Sequence, residues 1–531
     1  MPLIIYSIVS HIRKNKNLEC TVRESFGKPP QKQEYSLESI KTYHVYTTAN
    51  ADTEKYIDGI TWNDLEMDKI FKRINVCNTS IGEEYLYNCL HEPQFDQSHL
   101  LNREAFISRM NEQPEERFKI QMCLVRLGKI NFNGIPDFIF KSGEKPLRFP
   151  VIYIILSIIP FLLIGAFIIN LYAGIACFLI SFTLNIAIYF LTKRKIDISF
   201  SAIQYFLSMI NCCNKLLKIE NLKSELFWEQ LNNSYITFKS LKGIDLQIMQ
   251  NRSDDFGILS QYWRILRLTD VKNYNKVTIR INKNKEQFHN LYKKLAEIDL
   301  AICVSSFRES LPFYSTPIFH NENRIDFEEI YHPLLSTPVS NSGIIKNNSI
   351  ITGSNASGKS TFIKTLAVNG ILAQTIFTCT AQAFSSRFSL VMTSMALRDD
   401  ISEGESYFIT EIKSLKRILD KIKKVYCVCF IDEILRGTNT IERIAASASI
   451  LNYLNEKDCL CVAASHDIEL AKMLEEIVDN YHFKERITND GMVFDYKINQ
   501  GISNTKNAIK LLRYMNFPDI IVENAENFAD K

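Results

Sequence analysis

A loop bounded by two glycines and followed by a lysine holds the residues of this chain best suited to chemistry. Apolar residues 349–351 predict a strand before the loop, and residues 362–372 predict a helix after it. In such a turn the backbone N–H groups point at one anion, Lys359 reaches the terminal phosphates, and the Ser360 hydroxyl can bind Mg²⁺. The pattern therefore predicts a nucleoside triphosphate site. Its candidate residues are Gly353, Ser354, Asn355, Ala356, Ser357, Gly358, Lys359, Ser360 and Thr361.

Two carboxylates end a second apolar run, since Asp432 and Glu433 follow residues 425–431 directly. A strand buried in a parallel sheet has this composition, and it delivers its last residues to the carboxyl edge of the sheet. We expect Asp432 to bind Mg²⁺ and Glu433 to orient and polarise the attacking water. Because phosphoryl transfer requires mainly positioning and charge neutralisation, these groups predict hydrolysis of the triphosphate.

A third apolar run, residues 459–464, is followed by Ser465, His466 and Asp467. The same strand argument brings His466 to the edge that carries the phosphate loop. There it could sense the γ-phosphate and act with Lys359 and Glu433 as a catalytic group. A loop histidine without a role explains His466 alone equally well.

These segments resemble the ATPase domain of the MutS family of DNA mismatch repair proteins. Residues 353–361 are similar to its phosphate loop, residues 432–440 to its acidic strand, and residues 331–333 to the start of the domain. Positions 354, 356 and 357 are Ser, Ala and Ser where the family usually has Pro, Met and Gly. The resemblance implies ATP and Mg²⁺ as ligands, and a homodimer that holds the nucleotide between its subunits.

The resemblance also assigns residues that spacing alone does not. Residues 399–411 resemble a signature segment whose serine contacts the nucleotide of the partner subunit, which implies that role for Ser406. Residues 465–470 resemble the family's Thr-His…Glu-Leu switch, with a serine in place of the threonine. Where the family carries an acidic residue and a glycine, this chain has Ile441-Glu442-Arg443-Ile444, so the resemblance does not define the dimer face at this point.

Weaker similarity to the same family extends upstream. Residues 61–66, 79–90 and 294–304 resemble its helical core, although amphipathic core helices of many proteins show the same periodicity. The family's mismatch-reading domain needs on the order of a hundred residues. Residues 1–60 are too few for it, so direct recognition of mismatches is not expected.

An uncharged stretch from residue 151 to residue 191 interrupts the helical region. A membrane span requires about 20 apolar residues, so the stretch predicts two spans, around 150–169 and 173–192, and contact with the lipid bilayer through residues 150–192. Basic residues flank both ends, which places both ends, both termini and the ATPase domain on the cytoplasmic side. The alternative, a buried helical hairpin, would require protein cover on every face. The flanking residues are Lys141, Lys145, Arg148, Lys193, Arg194 and Lys195.

A formal net charge of +3 does not indicate a nucleic-acid partner for the chain as a whole. A local basic cluster, residues 272–294, surrounds residues 277–281, whose alternation predicts a short strand in a β-hairpin that could contact DNA phosphates. A solvated basic face is an equally good interpretation. Thirteen cysteines lack the paired Cys-x-x-Cys spacing of zinc sites. We expect them to be core residues in a reducing cytosol, and we expect no zinc.

The sequence thus predicts a multidomain protein of α and α/β parts. A helical MutS-like core with levers carries an inserted transmembrane helical hairpin, and a P-loop NTPase domain of the ABC-like α/β type follows. The predicted boundaries are 1–60 for an N-terminal segment of unknown role, 61–148 for the first part of the core, 149–192 for the hairpin, 193–325 for the second part of the core, and 326–531 for the ATPase domain.

The predicted function is ATP binding and hydrolysis by a membrane-tethered homodimer that closes on DNA. One alternative is a membrane-anchored mechanical ATPase that moves a protein partner and does not bind DNA. A small-molecule or nucleotide kinase is a weaker alternative, because adjacent carboxylates after a buried strand suit activation of water.

Overall fold

The computed structural model describes most of the chain. The described residues are 2–30, 36–49, 53–131, 134–141, 146–219, 226–244, 262–354, 357–395, 407–435, 438–488, 491–502, 515 and 517–529.

The described chain is helical up to Glu309 and mixes strands with helices after it. Short 3₁₀ turns occur at Thr53–Lys55, Leu163–Gly165 and Lys239–Leu241. The α-helices of this first part are α1 (Pro2–Ser25), α2 (Leu37–Ala49), α3 (Gly59–Asp64), α4 (Met67–Ile74), α5 (Ser80–His91), α6 (Gln97–Glu112), α7 (Pro114–Leu127), α8 (Ile135–Phe140), α9 (Pro150–Leu162), α10 (Ala166–Ile169), α11 (Leu171–Leu216), α12 (Leu226–Phe238), α13 (Thr269–Lys283) and α14 (Lys285–Glu309).

Helices α5 and α14 pack against each other in the middle of the helical part. Gly82 allows their close approach, since a Cβ at this position would lie 2.3 Å from Asp299 Oδ2. The buried Asp299 carboxylate accepts hydrogen bonds from the backbone N–H groups of Asn78 (3.0 Å) and Thr79 (2.8 Å), and burial raises its pKa above the ordinary value of 3.8. The core helices expected around 79–90 and 294–304 are therefore present, and Asp299 fastens the start of one to the other.

The uncharged stretch forms a helical hairpin. Its first arm consists of α9, a 3₁₀ turn and α10, and its second arm is the start of α11, which continues to Leu216 instead of ending near residue 192. Pro150–Ile169 and Leu171–Thr192 are long and apolar enough to cross a membrane by length and composition. Only 12% and 22% of their most apolar windows are buried. Most of the hairpin surface thus lacks protein cover within the described chain.

Two sheets build the C-terminal part. In the six-stranded sheet the order is β10-β9-β4-β8-β7-β6, with β10 antiparallel to β9 and the other pairs parallel. The four-stranded sheet has the order β1-β5-β2-β3. The strands are β1 (Ile318–Phe319), β2 (Ile325–Ile330), β3 (Asn341–Ile345), β4 (Ser349–Thr352), β5 (Ala383–Ser386), β6 (Leu390–Ser394), β7 (Cys427–Asp432), β8 (Cys459–Ala464), β9 (Asp479–Thr488) and β10 (Gly491–Gln500), and the helices are α15 (Lys359–Thr375), α16 (Tyr407–Lys421), α17 (Thr440–Asn455), α18 (Ile468–Met473) and α19 (Asp519–Ala529).

Strands β7 and β8 confirm the prediction of buried parallel strands. Every residue of both strands is buried, and the two pair in parallel over their whole length. The cysteines on these strands are core residues, as expected: Cys427, Cys429, Cys459 and Cys461 are buried and free.

The C-terminal part docks directly on the helices. Thr393 Oγ1 donates a hydrogen bond to Asp64 Oδ2 (2.7 Å), and Arg308 Nε donates one to Thr378 Oγ1 (2.9 Å). Residues 61–66, which resembled the start of the helical core, therefore form part of the contact with the sheet.

The prediction of a short strand at residues 277–281 is wrong, because this segment belongs to α13. Tyr274, Val277 and Ile281 are buried together, whereas Ile279 is 46% exposed. Their spacing of three and four residues is that of one helix face, and it overrides the local alternation. Arg280 also donates to Thr237 O, with its Nη2 at 2.7 Å. The predicted β-hairpin for DNA contact does not form.

Candidate nucleotide-binding site

Three strands end side by side at the carboxyl edge of the six-stranded sheet. β4 pairs in parallel with β8, and β8 pairs in parallel with β7. Beyond the ladders, Ser465 N donates to Ile351 O (3.0 Å), and Glu433 N donates to Ala464 O (3.0 Å). The loops after all three strands therefore start from one fixed edge, where ligands bind in open α/β sheets.

The glycine loop connects β4 to α15 and needs its glycines. Gly353 and Gly358 have φ angles of 148° and 105°, in the region that favours glycine. A Cβ at Gly353 would lie 2.9 Å from Ser357 Oγ, and one at Gly358 would lie 3.0 Å from Tyr496 Cδ1. Helix α15 begins directly after the loop, so its first N–H groups are available to an anion there. Asn355 and Ala356 lie outside the described residues.

Lys359 lies over this loop rather than in solvent. It is 4% exposed, and its Nζ donates to Gly353 O (2.6 Å) and Ser354 O (2.7 Å). Ser360 and Thr361 follow it on the first turn of α15 and line the same cleft. The structure thus brings the lysine and both hydroxyl groups together beside the described part of the loop, and their role in binding a nucleotide stays a prediction.

Asp432 is the last residue of β7 and is 6% exposed. Its buried Oδ1 accepts no hydrogen bond from the residues that the structure describes. A buried carboxylate oxygen in this state requires a donor or a cation. Since Mg²⁺ prefers carboxylate and other oxygen ligands, Asp432 and the Ser360 hydroxyl are chemically suited to hold the magnesium that accompanies a nucleotide.

Glu433 sits at a sharp turn after Asp432. Glu433 and Leu435 have φ angles of 57° and 59°, which non-glycine residues rarely adopt. Leu435 N donates to Glu411 Oε1 of α16, which supports the turn from outside. The Glu433 side chain is 13% exposed and lines the cleft beside the glycine loop. His466 Nδ1 lies 3.4 Å from Glu433 Oε2, so the predicted catalytic carboxylate and histidine are neighbours.

An arginine holds the loop that carries His466. Arg443 of α17 donates through Nε to Asp467 Oδ2 (3.0 Å) and through Nη2 to Asp467 Oδ1 (2.7 Å). Asp467 Oδ1 lies 3.8 Å from His466 Nε2. Sequence analysis did not assign Arg443 or Asp467 a role. The position of Asp467 directly after His466 could have indicated a role for this carboxylate. Its partner Arg443 is 24 residues away, however, and no local pattern connects the two.

A cleft of about 680 Å³ opens above the loop. The cleft is also lined by His332, Val339, Phe483 and Tyr496. Burial, aided by nearby Lys364, lowers the pKa of His332 to about 4, so this imidazole is neutral at pH 7. Sequence analysis missed Phe483 and Tyr496, because β9 and β10 reach the loop only through the pairing of β9 with β4.

The predicted contact across a dimer cannot be located. Ser406 and the rest of residues 396–406 lie outside the described residues, as do residues 436 and 437. The described end of the signature segment is Glu411, which contacts the turn after Asp432. The role of Ser406 stays a prediction.

Comparisons with known proteins agree with this geometry. Residues 349–531 match the family MutS domain V. The DNA mismatch repair protein MutS of Thermosipho melanesiensis is 29% identical over 307 residues, which cover 56% of this chain and 36% of that protein. For MutS of Petrotoga mobilis the values are 31% over 272 residues, 49% and 33%, and for MutS of Clostridioides difficile they are 24% over 322 residues, 58% and 34%.

The chain spans about a third of the length of these curated relatives. The matched part includes the glycine loop, both carboxylates and His466, and it extends upstream into the helices. Residues 349–531 thus match MutS domain V, and the chain is similar to MutS proteins over about half of its length.

Proposed function

We propose that this chain binds and hydrolyses ATP, and that two copies hold the nucleotide between their C-terminal domains. The observation that carries the proposal is the meeting of Lys359, Asp432 and Glu433 with a glycine loop at one sheet edge, beside an open cleft. The match to MutS domain V over residues 349–531 supports it.

In this mechanism the N–H groups of the loop and of the first turn of α15 bind the β- and γ-phosphates. The Lys359 ammonium exchanges the loop carbonyls for phosphate oxygens as the nucleotide enters. Ser360 and Asp432 hold Mg²⁺, which when bound supplies charge neutralisation at the phosphates. Glu433 orients the attacking water, and His466 restrains the Glu433 carboxylate at the γ-phosphate end of the cleft.

We propose DNA as the substrate on which dimer closure acts. The curated relatives are named DNA mismatch repair proteins, and similarity to them includes helices upstream of the ATPase domain. Closure of two ATPase domains would move these helices, because Arg308 at the end of α14 is bonded to Thr378 of the ATPase domain.

The hairpin is proposed to tether the protein to a membrane from the cytoplasmic side. Its apex carries Ile168, Ile169 and Tyr172, which are 90%, 89% and 83% exposed. No charged residue occurs between residues 151 and 191. Exposure of so large an uncharged apolar surface is typical of a membrane or interaction site.

The catalytic part of the proposal is tested by measuring ATP hydrolysis of the detergent-solubilised protein. Lys359→Ala should lower the rate about 100-fold or more, as loss of a group that stabilises developing charge does. Lys346→Ala, at an exposed lysine on the same domain, is the matched control and should retain the rate. Equal rates for wild type and Lys359→Ala would contradict the proposed site.

The DNA part is tested in the same assay with homoduplex, mismatched and branched DNA added in parallel. Stimulation by at least one of them supports DNA as the substrate. If none changes the rate of a protein that hydrolyses ATP, the DNA proposal fails while the ATPase proposal stands, and a mechanical ATPase acting on a protein partner becomes the better hypothesis.

A further inference from the structure

A third helical segment runs beside the hairpin. Residues 262–266 are helical and lead into α13. Ile265, Leu268 and Val271 of this segment form a buried cluster with Tyr189 of the hairpin, and all four are at most 4% exposed. Apolar packing therefore holds residues 262–275, which we call the flanking segment, against the hairpin.

Hydrogen bonds fix the level of the flanking segment along the hairpin. Asn185 Nδ2 donates to Leu156 O (3.0 Å) and to Leu266 O (2.9 Å), so these three residues lie at one level. Nearer the body of the protein, Leu147 N donates to Asn275 Oδ1 (2.9 Å). The flanking segment thus runs antiparallel to α9 and covers one side of the hairpin base.

The upper end of the flanking segment carries aromatic and basic side chains. Tyr262 and Trp263 are each 52% exposed, and Arg267 is exposed. The Trp263 ring meets Phe161 of the hairpin edge-on at 5.5 Å between centroids. Arg267 Cζ lies 5.8 Å from the Trp263 ring centroid. Tryptophan, tyrosine and arginine together are typical of the boundary between a bilayer and water.

The distance from this boundary to the hairpin apex matches one leaflet. Asn170 at the turn lies nine positions after Phe161, and at about 1.5 Å per position this is roughly 14 Å. The hydrocarbon core of a whole bilayer is about 30 Å thick. If residues 150–192 crossed it completely, the exposed Arg267 would lie near its centre, at a cost of about 2.5–3.5 kcal/mol or more.

The first arm of the hairpin, α9, exposes an apolar stripe away from the flanking segment. Val151, Ile155 and Ile158 repeat at helical spacing and are 62%, 53% and 47% exposed. Ser157 and Pro160 are buried on the side of the flanking segment. A hairpin that enters the membrane obliquely would lay the exposed stripe on lipid and keep the flanking segment toward the cytosol.

We propose that the hairpin enters a single leaflet, apex first, and does not cross the bilayer, with the flanking segment covering its cytosolic side. This inference rests on the proposed membrane tether and replaces the two crossings expected from the sequence. The boundary lies at Trp263 and Arg267, and the apex at Asn170 ends within the hydrocarbon.

The fluorescence of Trp263 can show how deep this residue lies in the bilayer. The full-length protein is reconstituted into phosphatidylcholine vesicles that carry bromine either near the headgroup end or near the methyl end of the acyl chains, and tryptophan fluorescence is compared. Trp62 and Trp228 are 3% and 2% exposed within the protein and contribute a constant background. Trp263→Phe is the control variant and should abolish the lipid-dependent quenching.

Stronger quenching by bromine near the headgroup is the expected result. Stronger quenching by bromine near the methyl ends would place Trp263 at the bilayer centre, overturning the single-leaflet arrangement while leaving the tether in place. Absence of quenching by either lipid would overturn the tether itself.

Discussion

Strands β7 and β8 and the helical hairpin are similarly apolar in sequence but differ in what covers them. Every residue of the two strands is buried by neighbouring strands and helices. In the hairpin windows 12% and 22% is buried. Hydropathy therefore identifies an apolar segment but does not indicate which elements, if any, pack over it. That depends on where the topology places the neighbouring helices and strands.

The two regions also treat polar groups in opposite ways. At the sheet edge, Lys359 and Glu433 come from separate segments and line a common cleft, and His466 lies beside Glu433. In the hairpin, the buried Asn185 donates through Nδ2 to the carbonyls of Leu156 and Leu266, whereas its Oδ1 accepts no hydrogen bond from the described residues. The polar groups of the sheet edge are thus turned toward a cleft, and the Asn185 amide is turned toward the backbone of its neighbours.

A charged residue placed in each region gives the largest expected difference. Val428→Asp would bury an unpaired carboxylate in β7, where Val428 is 4% exposed, and should destabilise the fold by about 4 kcal/mol or more. Ile168→Asp at the hairpin apex should leave unfolding in detergent within about 0.5 kcal/mol of wild type. Thermal unfolding of the detergent-solubilised variants measures both.

In a membrane assay, by contrast, Ile168→Asp should have a large effect. Ile168→Asp should reduce the partition of the protein into vesicles by roughly 100-fold, the equivalent of about 2.5–3.5 kcal/mol. Ile168→Val, at the same position, is the matched control. If Ile168→Asp binds vesicles as well as the wild type does, the apex of the hairpin does not enter the lipid, and the proposed difference between the two apolar regions is wrong.

Glu433→Gln should separate catalysis from binding at the sheet edge. The variant keeps the shape of the side chain but cannot polarise water, so kcat is expected to fall about 100–1,000-fold while ATP still binds. Stalled before hydrolysis, it should accumulate as a dimer with ATP in light-scattering measurements.

Glu476→Gln supplies the control, because Glu476 is an exposed carboxylate of the same domain. It should hydrolyse ATP at the wild-type rate. A Glu433→Gln protein that stays monomeric with saturating ATP would contradict the proposed sharing of the nucleotide between two subunits.

The sheet edge was largely predictable from sequence, because its groups lie in short segments next to apolar runs. Lys359, Asp432 and His466 each stand within a few residues of the strand that positions them. The wall residues Phe483 and Tyr496 were not predictable, since they approach Gly353 and Gly358 only after β9 pairs with β4. Local spacing carries no information about that pairing.

The flanking segment was missed for a related reason. Val277 and Ile281, just after this segment, fit both an alternating strand and a helix face, and the burial of Tyr274 together with the exposure of Ile279 distinguishes the two. Nothing near residue 265 indicates contact with Tyr189, which is far away in sequence. The hairpin itself was predicted, but the lack of charge in residues 151–191 did not indicate that a third segment covers one side.

His332 should make the cleft wall sensitive to acid. Burial lowers its pKa from 6.5 to about 4. This histidine is therefore protonated near pH 6.5 in the unfolded chain but only near pH 4 in the folded one. Stability is complete above pH 6.5 and is lost as the pH falls through that window, by about 2 kcal/mol at pH 5.

His332→Gln should therefore flatten part of the decline in unfolding free energy between pH 7 and pH 5. His289 has a similarly lowered pKa of about 4, and the double variant with His289→Gln should flatten it further. An unchanged pH profile in His332→Gln would show that His332 is protonated as easily in the folded protein as in the unfolded one.

The last prediction concerns the hydrogen bonds inside the hairpin. Pro160 has no N–H, so Leu156 O lacks the helix donor that position 160 would otherwise provide. Asn185 Nδ2 supplies a donor instead, and it also bonds Leu266 O, at the end of the helical turn 262–266. Asn185→Leu should leave both carbonyls without this donor and lower stability in detergent by about 1–3 kcal/mol.

Pro160→Ala provides the decisive comparison, because an alanine at position 160 returns an N–H to Leu156 O. If Asn185 acts by replacing that missing donor, Asn185→Leu should cost about 1 kcal/mol less in the Pro160→Ala background than in wild type. Equal costs in the two backgrounds would mean that Asn185 stabilises the hairpin through packing or through Leu266 alone. The hydrogen bond from Asn185 to Leu156 would then contribute little to the stability of the hairpin. The hairpin would differ from the sheet edge mainly in how little protein covers its apolar residues.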